Sequence, residues 1–155
     1  MTETFEYFSP DEASTITFGR KLAQMAKQGD VFALFGTLGM GKSVLARAFI
    51  QSLTGAEEVP SPTFTLVQSY DAPDFEIFHY DLYRIKSPEE IFEIGMEEAV
   101  YQGVSLIEWP EMMGGYLPRN CFRIEITPQK DGRKITISSA SEEKRQRLAE
   151  LEKSK

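Results

Sequence analysis

The chain has 155 residues, 41% hydrophobic and 26% charged, with a formal net charge of −7. At about 150 residues per domain, this length predicts one domain spanning residues 1–155. The hydrophobic fraction excludes a disordered chain, and no apolar run approaches the ~18 residues of a membrane span. One cysteine excludes an internal disulfide, the acidic balance disfavours stable direct binding to a nucleic-acid backbone, and the N-terminus lacks the features of an export signal. We therefore expect a soluble, cytoplasmic protein that does not associate with membranes.

The N-terminal third predicts a helix, a buried strand and a second helix. Ser9-Pro10-Asp11-Glu12 has the pattern of a capping box with Ser9 as the N-cap, and the helical spacing of apolar residues that follows ends at Gly29. Residues 31–35 are continuously apolar, which is typical of a strand buried on both faces. Residues 42–53 predict a helix that ends near Gly55. A strand, a glycine-rich turn and a helix in this order indicate the start of a parallel α/β sheet.

The middle of the chain predicts a pair of antiparallel strands. Residues 63–70 and 75–82 are rich in β-forming residues and are separated by the turn sequence 71–74, so the two strands must run antiparallel. Ser87-Pro88-Glu89-Glu90 is a second capping box and predicts a helix that Gly95 interrupts.

The last third predicts a buried strand, a hairpin and a helical tail. Residues 104–107 form an apolar strand that ends at Glu108. Residues 123–127 and 135–139 flank Asp131-Gly132, which predicts a type I′ hairpin turn. The segment from Ser141 is charged and favours a solvated final helix that frays; the alternative is an arm that binds a partner.

One motif carries the clearest chemistry. Gly36-Thr37-Leu38-Gly39-Met40-Gly41-Lys42-Ser43 fits the pattern G-x-x-x-x-G-K-[ST] at every position. In such a loop the backbone N–H groups bind phosphate oxygens, the lysine reaches the β- and γ-phosphates and the serine hydroxyl can ligate Mg²⁺. The positive end of the helix that begins at Lys42 also favours an anion. The motif therefore predicts a site for a nucleoside triphosphate and Mg²⁺.

Two further positions are candidates for contact with the metal and the phosphates. Glu108 ends a buried strand, where P-loop proteins place a second carboxylate that helps to hold Mg²⁺; the alternative is a surface glutamate that begins a loop. Thr63 follows the P-loop helix, where nucleotide switches often place a threonine that senses the γ-phosphate; the alternative is an ordinary loop residue.

The segment 79–84 offers a candidate catalytic carboxylate. Alternation along a strand would place His79, Asp81 and Tyr83 on one face. A carboxylate at such a strand end could orient or deprotonate the attacking water, whereas an ion pair with Arg84 would make Asp81 structural. His79 fits packing or hydrogen bonding better than catalysis.

Four motifs together resemble the bacterial TsaE family, also called YjeE, the small ATPase of tRNA threonylcarbamoyladenosine biosynthesis. In chain order they are the P-loop, Ser61-Pro62-Thr63-Phe64-Thr65-Leu66-Val67, His79-Tyr80-Asp81-Leu82-Tyr83-Arg84 and Leu106-Ile107-Glu108-Trp109-Pro110-Glu111. The resemblance covers nearly the whole chain. It implies a three-layer α/β fold of the P-loop NTPase kind, with a mixed sheet of parallel core strands and antiparallel hairpins.

The resemblance also implies a set of site residues. Mg²⁺ would be held by Ser43 and Glu108, and Asp81 matches the family's aspartate that is thought to act in hydrolysis, together with Lys42 and Glu108. Thr63 lies in the first switch region of the family, and Glu108-Trp109 in its second. The residues implied to bind the ATP are Asp11, Gly36, Thr37, Leu38, Gly39, Met40, Gly41, Lys42, Ser43, Val44, Thr63 and Arg133, with Asp11 and Arg133 near the adenine end. Thr37 and Met40 depart from the family's usual Asp and Ala, and Ser43 replaces the more common Thr.

The implied partners are the TsaB and TsaD proteins, of which TsaD transfers the threonylcarbamoyl group to tRNA. The ATPase would reset that assembly and reach tRNA only through it. Two other functions stay open at this point. A small-molecule kinase would need an acceptor pocket and, in most cases, an arginine-bearing lid that excludes water, and no arginine-rich lid is evident in the sequence. A nucleotide switch that does not hydrolyse ATP differs only in its turnover.

Overall fold

The computed structural model describes residues 4–36 and 41–153. Thr37, Leu38, Gly39 and Met40 of the P-loop motif lie outside the described residues. In the part of the chain that is described, no helix is long and apolar enough to cross a membrane.

Seven strands form one mixed sheet in the order β1-β7-β6-β2-β5-β4-β3. The strands are β1 (Thr4–Ser9), β2 (Val31–Phe35), β3 (Val67–Asp71), β4 (Glu76–Asp81), β5 (Val104–Glu108), β6 (Phe122–Gln129) and β7 (Gly132–Ser138). The central strands β6, β2, β5 and β4 run parallel to one another, whereas β3, β7 and β1 pair antiparallel toward the two edges. The predicted sheet, with a parallel core and antiparallel hairpins, is therefore confirmed.

Helices cover both faces of the sheet. They are α1 (Glu12–Met25), α2 (Lys42–Thr54), α3 (Met96–Gln102) and α4 (Glu142–Lys153), with two 3₁₀ segments at Pro88–Ile94 and Pro110–Tyr116. Phe32 and Leu34 of β2 belong to the hydrophobic cluster that includes residues of α1, α2 and α4, while Ala33 belongs to the cluster formed with α3 and the 3₁₀ segments. Because alternate residues of a strand face opposite sides, the buried strand β2 supplies both clusters. The result is the expected three-layer α/β fold.

The N-terminal helix begins later than the sequence predicts. Ser9 is the last residue of β1, where it pairs with Arg133, and it is not the N-cap. The cap is Asp11, whose Oδ1 accepts a hydrogen bond of 2.8 Å from the backbone N–H of Ser14. The edge strand β1, absent from the prediction, holds Ser9 in the sheet and so delays the helix by two residues. The Ser9 hydroxyl is instead 2.6 Å from the Thr15 hydroxyl in the interior.

The strand predicted over residues 63–70 is also shorter than expected. Residues 63–66 form a turn in which the Leu66 N–H donates to the Pro62 carbonyl at 2.7 Å, and β3 begins only at Val67. Leu66 has a φ of 69°, which a strand does not accommodate. Local β propensity is overridden here by contacts with the end of β4, since the Asp81 N–H donates to the Leu66 carbonyl.

The second capping box and the glycine break are confirmed. Glu90 accepts from the Ser87 N–H at 2.8 Å, and Gly95, with a φ of 70°, separates the first 3₁₀ segment from α3.

The final hairpin turns one residue earlier than predicted. Gln129 and Gly132 are the last paired residues, so Lys130 and Asp131 form the loop, and Lys130 carries the positive φ of 52°. Gly132 is required for another reason. A Cβ atom there would lie 2.4 Å from the Ser9 carbonyl oxygen, so only glycine allows β1 to approach β7 this closely.

The C-terminal helix is docked rather than solvated. Leu148 and Leu151 are buried in the larger hydrophobic cluster. Arg147 makes a bidentate ion pair with Asp30, with distances of 2.9 Å from Nη1 to Oδ1 and 2.6 Å from Nη2 to Oδ2. Its Nη2 also donates to the Met25 carbonyl at 2.5 Å. The predicted helix is therefore present, but it packs on the hydrophobic core instead of being solvated.

Candidate functional site

The predicted site residues converge on one cleft where the parallel strands β4 and β5 end and α2 begins. In parallel α/β sheets, ligands bind at the carboxyl ends of the strands. The cleft has a volume of about 490 Å³. Every described residue of the predicted site except Gly36 lines it: Asp11, Gly41, Lys42, Ser43, Val44, Thr63, Asp81, Glu108 and Arg133. Their functional roles remain predictions; the fold establishes that they are neighbours.

Lys42 lies at the start of α2 and is 5% exposed. Its Nζ donates to the Gly36 carbonyl at 2.7 Å and lies 3.7 Å from the centre of the Trp109 ring. Burial lowers the pKa of Lys42, and the carboxylates of Glu108, Glu111 and Asp81 oppose that shift. The ammonium group is thus held at the cleft by the chain itself, with carboxylates close enough to favour its charged form.

The first turn of α2 adds to the positive potential. Gly41 precedes the helix with a φ of 103°, a conformation that favours glycine, and none of the described side chains caps this turn. The first N–H groups of a helix have no partner within it, and they carry the positive end of its dipole. Because residues 41–44 line the cleft, the site suits an anion such as a phosphate group.

A serine, a glutamate and a histidine are joined by hydrogen bonds beside the lysine, and the glutamate and the histidine are buried. The Ser43 hydroxyl donates to Glu108 Oε1 at 3.0 Å, and Glu108 Oε2 lies 2.7 Å from His79 Nε2. Glu108 is 3% exposed, so it is not a surface residue. His79 is buried and hydrogen-bonded, as expected.

The Ser43–Glu108 pair fits a magnesium ion by its chemistry. It presents a hydroxyl and a carboxylate oxygen side by side, and hard oxygen ligands are the ones that Mg²⁺ prefers. Among the described residues, no group of three or more His, Cys, Asp or Glu side chains is placed to hold a metal. An ion bound here would complete its shell with phosphate and water oxygens, as Mg²⁺ does in nucleotide sites.

Asp81 lies next to Glu108 in the register of β4 and β5. Its Oδ2 accepts from the Thr63 hydroxyl at 3.0 Å, and its Oδ1 accepts from the Tyr83 N–H at 3.0 Å. Within the described residues, Asp81 makes no ion pair with Arg84, whose guanidinium stacks 4.5 Å from the centre of the Phe64 ring. The ion pair on which the structural alternative for Asp81 was based is therefore absent among the described residues, and Thr63 reaches the site through a turn rather than a strand.

The far end of the cleft is built by contacts that no local motif reveals. Pairing of β1 with β7 brings residues 131–133 against residues 9–12. The residues missed by the sequence analysis at this end are Ser9, Pro10, Glu12, Thr15, Asp131 and Gly132, and Ser61 was missed near Thr63. Ser61 could have been predicted from the sequence, because it belongs to the same motif as Thr63. In the structure its hydroxyl lies 2.7 Å from the Thr63 hydroxyl.

Trp109 connects the cleft with its rim. It has a φ of 61°, and its ring packs 4.9 Å from the Tyr83 ring while also lining the cleft beside Lys42. Trp109 is therefore both a packing residue and a residue of the site.

Comparison with known proteins shows similarity to one family in sequence and in fold. The sequence model of the family described as threonylcarbamoyl adenosine biosynthesis protein TsaE matches residues 9–135. The tRNA threonylcarbamoyladenosine biosynthesis protein TsaE of Rickettsia conorii is 47% identical over 125 residues, which cover 80% of this chain and 71% of that protein. Its namesake from Haemophilus influenzae is 34% identical over 141 residues, covering 87% of this chain and 89% of that protein. The crystal structure of Bacillus subtilis YdiB superposes with a TM-score of 0.81 at 27% identity, covering 99% of this chain and 97% of that one. The chain belongs to the TsaE family of threonylcarbamoyl adenosine biosynthesis proteins.

Proposed function

We propose that this protein is a Mg²⁺-dependent ATPase that acts with TsaB and TsaD in the threonylcarbamoyladenosine modification of tRNA. Membership of the TsaE family supports the role in tRNA modification. The observation that carries the ATPase proposal is the convergence of Lys42, the Ser43–Glu108 pair and Asp81 on one cleft at the start of α2. Each group has a distinct task in phosphoryl transfer.

Lys42 and the first turn of α2 would bind the phosphates. The Lys42 ammonium group is already buried, so little water has to be displaced from it when a phosphate group binds. The N–H groups in the first turn of α2 add to the positive potential at the same place. Ser43 and Glu108 would hold the magnesium ion, which neutralises charge on the phosphate oxygens when it is bound. His79 fixes the Glu108 carboxylate so that Oε1 faces Ser43.

Asp81 would accept a proton from the attacking water. Both of its oxygens already accept a hydrogen bond, from Thr63 and from the Tyr83 backbone, so the carboxylate is held in one orientation. A carboxylate oxygen has more than one lone pair, and a water can use the second. Thr63 lies between Asp81 and Ser61 and could link this group to changes at the phosphate end.

The kinase alternative is less well supported. Arg133 is the only arginine among the described residues that line the cleft, and it lies at the end away from Asp81, beside Asp131 and Gly132. A kinase needs a lid that excludes water from the transferred phosphate. The tRNA itself would be reached through the partner proteins, since an acidic chain gains little from direct contact with phosphates.

One experiment separates these functions. Purified protein is incubated with labelled Mg-ATP, with and without TsaB and TsaD, and free phosphate is resolved from phosphorylated products. We expect free phosphate, and a rate or affinity that changes when both partners are added. Phosphate transfer to a small acceptor would favour the kinase, and the absence of turnover in all mixtures would favour a nucleotide switch. Partners that neither bind nor alter turnover would contradict the proposed assembly.

A further inference from the structure

A second groove lies on the face of the sheet opposite α1 and α2. It has a volume of about 710 Å³ and is formed by the first 3₁₀ segment, α3 and the second 3₁₀ segment. We call it the aromatic groove. Its principal apolar lining consists of Phe92, Met96, Val100, Tyr101, Met113 and Tyr116. None of these residues lines the cleft at the start of α2, which we call the nucleotide cleft.

The aromatic side chains of this groove are unusually accessible. Tyr101 is 78% exposed, Tyr116 45% and Phe92 40%. Phe92 and Tyr116 are held edge to face with their ring centres 5.0 Å apart, and the Tyr116 hydroxyl interacts with Glu89. Large apolar patches on a protein surface mark sites of interaction, and rigid aromatic side chains lose little entropy on binding.

The segment of chain that forms the groove carries charge of one sign only, and the charged residues that line the groove are both glutamates. Between Lys86 and Arg119 the chain has no Lys or Arg and has seven glutamates, at positions 89, 90, 93, 97, 98, 108 and 111. Removing these seven from the 24 acidic residues of the chain leaves 17, the same as the number of Lys and Arg. The whole net charge of the protein therefore arises in this segment. Apart from Glu108, which is buried in the cleft, and Glu90, these glutamates are exposed, and Glu97 and Glu98 line the groove itself.

We propose that the aromatic groove docks a partner protein through a basic amphipathic segment, whose apolar side chains enter the groove while its Lys and Arg side chains face the glutamates. Charge complementarity selects this occupant. A nucleic acid would meet glutamates where it needs cations, and a second copy of this chain would bring two acidic rims together.

The groove is also joined to the nucleotide cleft by the chain. The second 3₁₀ segment begins directly after Trp109, which follows the end of β5. The first 3₁₀ segment is the next element along the chain after β4. The two segments touch, since a Cβ atom on Gly114 would lie 3.4 Å from Cγ of Pro88. A docked segment would thus contact the element that continues from Glu108 and Trp109.

The test uses the full chain and a fluorescein-labelled helical peptide with leucine on one face and lysine on the other, followed by fluorescence anisotropy at low salt. A peptide with glutamate in place of lysine and a folded tRNA are the comparison probes. No nucleotide is present, so failure here is distinguishable from failure of the proposed ATPase function.

Matched variants locate the binding. Tyr101→Ala should weaken the lysine peptide about fivefold or more, whereas Phe8→Ala, an aromatic 47% exposed on β1, should change it by less than about twofold. The double variant Glu97→Lys/Glu98→Lys should weaken it about tenfold, and the effect should shrink as salt screens the charges. Glu142→Lys/Glu143→Lys makes the same charge change in the first turn of another helix and should have little effect.

Four results would overturn the proposal: no binding of the lysine peptide, equal binding of the glutamate peptide, equal loss in the two double variants, or tRNA binding that depends on Tyr101. Circular dichroism and the melting temperature of each variant establish that it is folded, which is expected because the replaced side chains are exposed.

Discussion

Replacing Asp81 with Asn should separate hydrolysis from folding and from ATP binding. The two side chains have the same shape, and both hydrogen bonds of Asp81 can persist. The amide oxygen can accept from the Tyr83 N–H, while the amide nitrogen can donate to the Thr63 hydroxyl, which is then free to donate to Ser61. What disappears is the negative charge and the ability to accept a proton.

The magnitudes of the three effects differ enough to be resolved. Two charge-assisted hydrogen bonds become neutral ones, which costs roughly 1–2 kcal/mol in the free energy of unfolding and about 2–8 °C in melting temperature for a chain of this size. ATP binding should be unchanged or slightly tighter, because one carboxylate near the phosphate site is neutralised. Loss of a general base should slow hydrolysis by about 10²- to 10⁴-fold.

The assay measures melting temperature, equilibrium binding of Mg-ATP and single-turnover phosphate release on the same preparation. Asp74→Asn is the matched control, since it makes the same chemical change at an exposed position in the turn before β4. Hydrolysis at the wild-type rate would refute the catalytic role of Asp81. Parallel loss of binding and stability would instead assign Asp81 to the architecture of the site.

Four further outcomes follow from the same contacts. Lys42→Ala should weaken Mg-ATP binding about 10- to 100-fold, measured by titration calorimetry, and wild-type affinity in the folded variant would contradict the phosphate role. Glu108→Ala should raise the Mg²⁺ concentration required for half-maximal turnover, and an unchanged requirement would remove it from the metal site. Trp109 is the only tryptophan, and its ring lies against the Lys42 ammonium group. Its fluorescence emission should therefore change when Mg-ATP replaces Mg-ADP, and identical emission spectra would make Trp109 a packing residue only. Arg147→Ala leaves the buried Asp30 carboxylate without its ion-pair partner and should cost about 3–5 kcal/mol in the free energy of unfolding. The melting temperature should fall by roughly 6–20 °C in thermal denaturation, and a shift of a degree or two would show that this ion pair contributes little.

Local sequence patterns determined much of this protein. The P-loop motif, the apolar run of β2 and the strand ending at Glu108 are local features, because periodicity and residue type are sufficient to specify them. The capping box at Ser87 and the break at Gly95 are correct for the same reason. Nearly every described residue of the predicted site therefore lies in the cleft.

Only the tertiary structure decided which distant groups meet. Arg133 and Asp11 line the same cleft because β1 pairs with β7, and that pairing also moves the helix cap from Ser9 to Asp11. His79 meets Glu108 because β4 and β5 are neighbours in register, although 29 positions separate them in sequence. The docking of α4 through Arg147 is of the same kind. Such contacts depend on strand register and on burial summed over many weak interactions, so they are properties of the assembled sheet and its two hydrophobic layers rather than of any one segment.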